Sequence, residues 1–336
     1  MTKMAPLLLL AGMAIGCTAA PLSGAAASLS GAACTPITAS DGLFIVDTQN
    51  DFMEAYPLPS TGTKPQYPIP RAGLAPGGKA VAAGSLAVGN TSQIVVPINA
   101  WIEHFGASGG RVFASLDWHP AQHCSFCRNG TAASNPSGFQ PKGDVCGPLP
   151  LPGFNSTGRC VDMVAKADYG KHSLMQWPDH CVHGSFGSRF QPFLRVPANA
   201  TVIKKGWDGT IDTYSAFGGT ESLQAYPFDT SDAALQLKGR ATLSSLLAAQ
   251  GIKRLWVVGI ATDYCVGGTV LDALGKNEDT KRPAPKGLKL VVMAEASTRA
   301  VSTKTGSAMI AAISAAGGVV VKAVDPAAAI AEACAK

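Results

Sequence analysis

The stretch LWVVGIATDYCV, residues 255–266, joins a short apolar run to a polar turn and a cysteine. Its first six residues are rich in branched side chains and do not alternate between apolar and polar positions. Such a run is typical of a strand that is buried on both faces, as in a parallel sheet. The segment that follows, 265–276, is predicted to be helical, so this part of the chain forms a strand–turn–helix unit.

Five further runs of the same kind lie at residues 43–46, 111–116, 201–204, 288–294 and 318–321. Helical segments are predicted between and after them, at about 92–108, 236–250, 303–316 and 326–335. Strands that alternate with helices in this way predict an α/β fold. We expect a three-layer, doubly wound sheet of about six mainly parallel strands, with helices on both faces and long loop insertions.

The composition is that of a folded domain, because 46% of the 336 residues are hydrophobic and only 15% are charged. The net charge is +5 and the basic residues are scattered, which argues against a nucleic-acid partner. Residues 41–336 are predicted to form a single domain. Two stretches with few periodic signals, about 53–91 and 124–175, are predicted to be insertions. The sequence carries no signal for the oligomeric state.

The first twenty residues are predicted to be a secretory signal peptide, because Lys3 precedes a short apolar run that is followed by small residues. Lipid attachment at Cys17 is an alternative. Residues 21–40 are predicted to be a flexible leader. Neither the first run nor any later one reaches 18 unbroken apolar residues, so no stable membrane span is expected. The predicted location is therefore outside the cell or in the secretory pathway.

Four sequons suit glycosylated surface loops of an exported chain, and they begin at Asn90, Asn129, Asn155 and Asn199. The nine cysteines point the same way. The pair Cys124 and Cys127 could begin a zinc site, but no second close pair follows, so disulfides are favoured. The disulfide candidates are Cys34, Cys124, Cys127, Cys146, Cys160 and Cys334. We expect Cys34 to pair with Cys334 and the other four to pair among themselves, whereas Cys181 and Cys265 stay reduced.

Four chemically capable residues follow four of the predicted strands: Asp47, Asp117, Lys205 and Cys265. In open α/β sheets, ligands bind beyond the carboxyl ends of the strands, so these side chains are expected to meet. Cys265 begins a predicted helix, where the helix dipole would lower the pKa of its thiol. Asp47 could take the thiol proton and Lys205 could stabilise the ion pair, which predicts a Cys-Asp-Lys nucleophilic triad.

Asp117 and His119 lie two residues apart on an extended segment and therefore point to the same side, as metal ligands would. His180 is the favoured third ligand, with His123 and His183 as alternatives. A carboxylate with two imidazoles suits one divalent ion, which is Zn²⁺, Fe²⁺ or Mn²⁺, and the spacing does not choose among these metals.

Five motifs occur together along the chain: IVDTQNDF (45–52), DWHPAQHCSF (117–126), WPDHCVHGS (177–185), KKGWDGTIDTYSAF (204–217) and GIATDYCVGGTVLDAL (259–274). In these motifs the chain resembles the nicotinamidases, which belong to the isochorismatase-like cysteine hydrolases, and the resemblance covers about residues 41–325. It implies the same triad and the same three metal ligands. It also implies that Phe52, Trp177 and Tyr264 bind the substrate ring. A cis peptide bond would precede Ala261, whose amide would form an oxyanion hole with that of Cys265.

The resemblance further implies a metal-dependent amidohydrolase that converts nicotinamide to nicotinate and ammonia through a thioester, and that acts on pyrazinamide as well. Two alternatives are a related cysteine hydrolase acting on another small amide, and an inactive secreted protein that binds nicotinamide or metal. The chain differs from typical members in its predicted export signal and in its two predicted insertions. These differences bear on access to the pocket rather than on the reacting residues.

Overall fold

The computed structural model describes residues 35–60, 62–121, 123, 125–126, 177–208, 212–222 and 239–336. Within these residues the strands are β1 (Asp41–Val46), β2 (Tyr56–Pro57), β3 (Ala80–Val81), β4 (Arg111–Asp117), β5 (Thr201–Lys205), β6 (Thr220–Glu221), β7 (Arg254–Ile260), β8 (Leu290–Arg299) and β9 (Val319–Val321). The α-helices are α1 (Val95–Ser108), α2 (Leu243–Ala249), α3 (Gly267–Leu274), α4 (Thr303–Ala315) and α5 (Pro326–Cys334).

A central seven-stranded sheet has the order β6-β5-β4-β1-β7-β8-β9. Six of these strands are mutually parallel, and the edge strand β6 pairs antiparallel with β5. The predicted α/β fold with six parallel strands is therefore confirmed. The seventh strand was not predicted, because a two-residue strand is too short to give a periodic signal.

The two faces of the sheet bury different residues of β1, as expected from the period of two along a strand. Leu43 and Ile45 belong to one hydrophobic cluster, together with apolar residues of α1 and α5. Phe44 and Val46 belong to a second cluster, together with residues of α2, α3 and α4. Helices thus cover both faces, which explains why the strand sequences are apolar without alternation.

One helix begins later than the sequence pattern indicated. The predicted segment 236–250 contains α2, which begins at Leu243, because the Thr242 side chain accepts a hydrogen bond from the Ser245 N–H and caps the helix. Gly275, with φ of 65°, ends α3 close to the predicted boundary.

The order of the strands places a topological switch point at β1. From β1 the chain fills one side of the sheet with β4 and β5, and later fills the other side with β7, β8 and β9. The carboxyl ends of β4, β1 and β7 therefore meet at the crevice where ligands bind in doubly wound folds.

The stretch 53–91, predicted to be an insertion, contains a small antiparallel sheet of β2 and β3. It packs on the main domain through buried Met53, Leu86 and Val88. The predicted signal peptide, the leader up to residue 34 and nearly all of the second insertion lie outside the described residues. Within the described part of the chain, no helix is both long enough and apolar enough to cross a membrane.

Candidate active site

Three strands of the sheet bring the predicted triad together in the interior. Asp47 directly follows β1, Lys205 ends β5 and Cys265 follows β7. The Lys205 Nζ lies 2.9 Å from the Asp47 Oδ2 and 3.4 Å from the Cys265 Sγ. All three side chains are buried, so their charges interact with little screening by water.

The electrostatics of the triad define its resting state. Burial raises the pKa of the Asp47 carboxyl to about 6, although the neighbouring Lys205 ammonium acts to lower it. Burial also raises the pKa of the Cys265 thiol well above its ordinary value. Two carboxylates, Asp117 and Asp47, outweigh burial and raise the pKa of Lys205. At neutral pH the site therefore holds a protonated thiol, an ionised Asp47 and a cationic lysine.

The expectation of a lowered thiol pKa at Cys265 was wrong. The cysteine lies inside a π-helical turn, Thr262–Val266, rather than in the exposed first turn of an α-helix. Desolvation of a buried thiolate outweighs the attraction of Lys205. A carboxylate oxygen of Asp47 lies within 4.8 Å of the sulfur, so Asp47 is placed to accept the thiol proton.

Asp117, His119 and His180 form a second buried cluster beside the triad. The Nε2 atoms of both histidines lie 3.8 Å from the Asp117 Oδ2. The potential ligand atoms of the three residues all lie within 4.8 Å of one another. Two donors bound at about 2.1 Å to one zinc ion are separated by roughly 3–4 Å, so these spacings are close to those of a ligand set.

Backbone carbonyl groups fix both imidazoles for such a role. The His119 Nδ1 lies 3.0 Å from the Gly206 carbonyl oxygen, and the His180 Nδ1 lies 2.7 Å from the Pro178 carbonyl oxygen. Because a carbonyl oxygen only accepts, each Nδ1 carries the proton and each Nε2 keeps its lone pair. Burial also lowers the pKa of His180 to about 3, which keeps its ring neutral. This donor set fits a divalent metal ion.

The alternative third ligands occupy different positions. His183 is exposed and belongs to none of the ligand clusters found among the described residues. The ring of His123 lies 4.1 Å from that of His119, and its Nδ1 is 2.7 Å from the Ser125 Oγ. His123 can join a second set with His119 and Asp212, also within 4.8 Å. The carboxylate of Asp117, however, lies in the ligand set that contains His119 and His180, and not in the set that contains His123.

Cys265 of the triad and all three residues of the Asp117–His119–His180 cluster line one cavity with aromatic walls. Phe52, Trp177 and Tyr264, the predicted ring-binding residues, all line it together with Cys265. The rings of Trp177 and Tyr264 meet edge to face at 5.1 Å, and the Trp177 indole N–H donates to the Tyr214 hydroxyl at 3.1 Å. Leu86 and Val88, from the stretch predicted to be an insertion, also line the cavity.

The predicted oxyanion-hole residues, Ala261 and Cys265, line the same cavity. A cis peptide bond joins Ile260 to Ala261, in agreement with what the resemblance implies.

Sequence reasoning missed several residues of the site. The Ser115 hydroxyl donates to the Asp47 Oδ1 at 2.7 Å. The Gln49 side chain binds the backbone of Asp117 twice, since its Nε2 donates to the carbonyl and its Oε1 accepts from the N–H, both at 2.8 Å. Asp212 and Tyr214 line the cavity. A detectable signal existed for Ser115, which is the one polar residue within the run 112–116 and lies two residues before Asp117.

The predicted surface features are only partly within the described residues. Asn90 and Asn199 are exposed, whereas Asn129 and Asn155 lie outside. Cys181 and Cys265 are buried free thiols, and Cys334 lies half-buried at the end of α5. The other disulfide candidates, Cys34, Cys124, Cys127, Cys146 and Cys160, lie outside the described part.

Comparison with known proteins decides the family. The nicotinamidase of Escherichia coli is 34% identical over 193 residues, which are 57% of this chain and 70% of that protein. This chain belongs to the nicotinamidase family. The nicotinamidase of Acinetobacter baylyi is 33% identical over 190 residues, covering 56% of this chain and 67% of that protein. No family model matches the chain.

Solved nicotinamidase structures agree with this assignment. A nicotinamidase–pyrazinamidase of Acinetobacter baumannii superposes with a TM-score of 0.51 at 27% identity, over 84% of this chain and 96% of that one. The yeast nicotinamidase bound to the inhibitor nicotinaldehyde gives a TM-score of 0.50 at 21% identity, over 84% of this chain and all of that one, and supports the fold. The resemblance of the motifs to nicotinamidases is thus confirmed.

Proposed function

We propose that this nicotinamidase-family chain hydrolyses nicotinamide to nicotinate and ammonia with Cys265 as nucleophile. The single observation that carries the proposal is that the cavity holding Cys265 is also lined by aromatic rings and by the Asp117–His119–His180 cluster. A flat pyridine ring suits aromatic walls, and its carboxamide suits an adjacent thiol nucleophile.

In the first half-reaction Asp47 accepts the proton of the Cys265 thiol as the sulfur attacks the carboxamide carbon. The Lys205 ammonium, 3.4 Å from the sulfur, stabilises the negative charge that develops there. The amides of Ala261 and Cys265 are proposed to stabilise the oxyanion. The C–N bond then breaks, ammonia leaves with the proton held by Asp47, and a thioester joins the acyl group to Cys265.

In the second half-reaction Asp47 accepts a proton from water, and the resulting hydroxide attacks the thioester carbon. The C–S bond breaks, the proton returns from Asp47 to the thiolate, and the product leaves as nicotinic acid, which gives its proton to water or to the released ammonia and becomes nicotinate. Ser115 holds the Asp47 carboxylate in place through both steps, because its hydroxyl donates to the oxygen that Lys205 does not bind.

Asp117, His119 and His180 are proposed to hold one divalent ion, for which zinc is our first choice. When bound, it would supply a Lewis acid for the pyridine nitrogen and so orient the ring. Phe52, Trp177 and Tyr264 would hold the ring by stacking and edge contacts, and the Trp177–Tyr214 hydrogen bond keeps the indole in one orientation. Pyrazinamide has a ring of the same shape with a nitrogen in the same place, so we extend the proposal to it.

The direct test is release of ammonia and nicotinate from nicotinamide by the purified chain, with total metal measured on the same sample. We expect turnover that is lost after chelation and restored by zinc. Hydrolysis of a carbamoyl compound but not of nicotinamide would favour the related hydrolase. Nicotinamide binding without hydrolysis by a metal-loaded chain would favour the inactive binding protein. We also propose that the chain is exported, as its first twenty residues suggest.

A further inference from the structure

Asp51 is a partly buried carboxylate beside the candidate site, to which the proposed reaction assigns no role. It lies in the short 3-10 helix Asn50–Phe52, directly before Phe52 of the cavity wall. Its Oδ2 accepts the backbone N–H of Cys181 at 2.7 Å, and its Oδ1 accepts that of Ser85 at 3.4 Å. One side chain therefore joins three separate segments of the chain.

The bond to Cys181 leads directly to the metal cluster. Cys181 follows His180 and has φ of 46°, a left-handed conformation that a side-chain-bearing residue adopts only where its surroundings stabilise it. Its carbonyl oxygen accepts the backbone N–H of His119 at 3.0 Å. The position of Cys181 thus bears on two of the three proposed ligands: on His180 through the chain and on His119 through a hydrogen bond.

The surroundings of Asp51 leave little freedom for its carboxylate. A Cβ placed on Gly187 would lie 1.9 Å from the Oδ2, so the glycine gives the carboxylate its space. The Asp51 N–H donates to the Gly187 carbonyl at 3.1 Å, and its own carbonyl accepts from the Leu86 N–H at 3.0 Å. The carboxylate is therefore held at a fixed point between the Cys181 loop and the cavity wall.

We propose that Asp51 is a positioning residue that holds Cys181, and through it His180 and His119, in the arrangement that binds the metal ion. The inference rests on the proposed function. Asp51 is not among the residues that line the cavity, and its side-chain hydrogen bonds go to Cys181 and Ser85 rather than to the triad. Its proposed effect is therefore exerted through the ligands. Residues that orient metal ligands typically contribute about 10–100-fold to metal affinity.

The test compares Asp51→Ala and Asp51→Asn with the matched control Asp325→Ala. Asp325 is an exposed carboxylate that also accepts a backbone N–H, that of Ala328 at 2.9 Å, but at the start of α5 far along the chain. The measurements are the zinc Kd by chelator competition, the urea unfolding of the metal-free proteins, and nicotinamide kinetics. Metal affinity is a readout that a merely structural role would not move.

We expect Asp51→Ala to weaken zinc binding by about 10–100-fold, and Asp51→Asn, which keeps an acceptor oxygen for Cys181, to weaken it less. Asp325→Ala should leave the zinc Kd unchanged even if it lowers stability. A zinc Kd for Asp51→Ala within twofold of the wild-type value overturns the proposal. If that variant does not fold, Asp51→Asn decides alone: a weakening of threefold or more supports the proposal, and a smaller change overturns it.

Two outcomes for the wild-type chain separate the positioning role of Asp51 from the proposed function. A wild-type chain that binds zinc but releases no ammonia from nicotinamide contradicts the function and leaves the comparison of Kd values intact. A wild-type chain that binds no zinc overturns the positioning role, while its ammonia release still reports on the function.

Discussion

The nucleophile is the residue on which the proposed chemistry depends most. Cys265→Ala should lower turnover of nicotinamide by more than about a thousandfold, because loss of a nucleophile removes the covalent route. The zinc content should not change, since the thiol is not one of the proposed ligands. The check is ammonia release together with metal analysis of the same preparation. Residual activity above about a thousandth of the wild-type activity would contradict the assignment of Cys265 as the nucleophile.

If Asp47 is the base, kcat/KM for nicotinamide should depend on pH. A base must be ionised to accept a proton, and burial raises the pKa of Asp47 to about 6. Activity should therefore be present above that pH, and kcat/KM should fall by about tenfold per pH unit below it. Metal content must be followed at each pH, because protonation of His119 would release the ion. A kcat/KM that stays constant from pH 7.5 to 5 with metal retained would contradict Asp47 as the base.

The metal cluster can be tested with two histidines from the same loop. His180→Ala should weaken zinc binding strongly and raise KM more than it lowers kcat, because the ion's proposed task is to orient the ring. His183→Ala is the matched control, since His183 is exposed and lies outside the cluster. If the His180 variant still binds one zinc ion per chain, His180 is not the third ligand, and His123 is the alternative.

At the scale of single residues, the sequence predicts the site residues whose role follows from their position next to a strand. Asp47, Asp117 and Lys205 were predictable because each ends a recognisable strand, and parallel strand ends meet at one edge of the sheet. Gln49 and Tyr214 were not, because their roles depend on contacts with residues 68 and 37 positions away in the chain. No periodic pattern carries that information.

At the scale of elements, the central strands were predictable and the short ones were not. The strand β7 is apolar because both of its faces are covered, which gives a strong signal. The strands β2, β3 and β6 have two residues each, which is shorter than any periodicity. The stretch that contains β2 and β3 was predicted to be an insertion, and it supplies Leu86 and Val88 to the cavity. That contribution follows from packing, which the local sequence does not encode.

A glycine in β7 shows how tightly the central strands fit. Gly259 has φ of 117°, and a Cβ there would lie 2.1 Å from the Val46 carbonyl oxygen on β1. Gly259→Ala should therefore lower the free energy of unfolding by more than about 2 kcal/mol, from backbone strain and steric overlap together. Gly317→Ala is the control, because Gly317 has φ of 90° but open space around its Cβ position. Urea unfolding should show the larger loss for Gly259, and equal losses would contradict the packing argument.

At the scale of the whole molecule, the strand order decides which strand ends can react together. Asp47 lies at the switch point, with Asp117 and Lys205 on one side and Cys265 on the other. The sequence predicted that these residues meet, but only the strand order explains why the triad is drawn from both sides of β1. The same order places the ends of β4 and β5, with the metal cluster, opposite the nucleophile.

The state of the cysteines tests the exported location that the sequence predicts. Cys181 and Cys265 are buried free thiols and should stay reduced, since one follows a proposed metal ligand and the other is the proposed nucleophile. Removal of the signal peptide would also remove Cys17, leaving six cysteines for three disulfides, each contributing about 2–4 kcal/mol. Thiol counting under denaturing, non-reducing conditions should therefore find two free thiols in protein made in an oxidising compartment. Six or more would contradict both the disulfides and the export inferred from them.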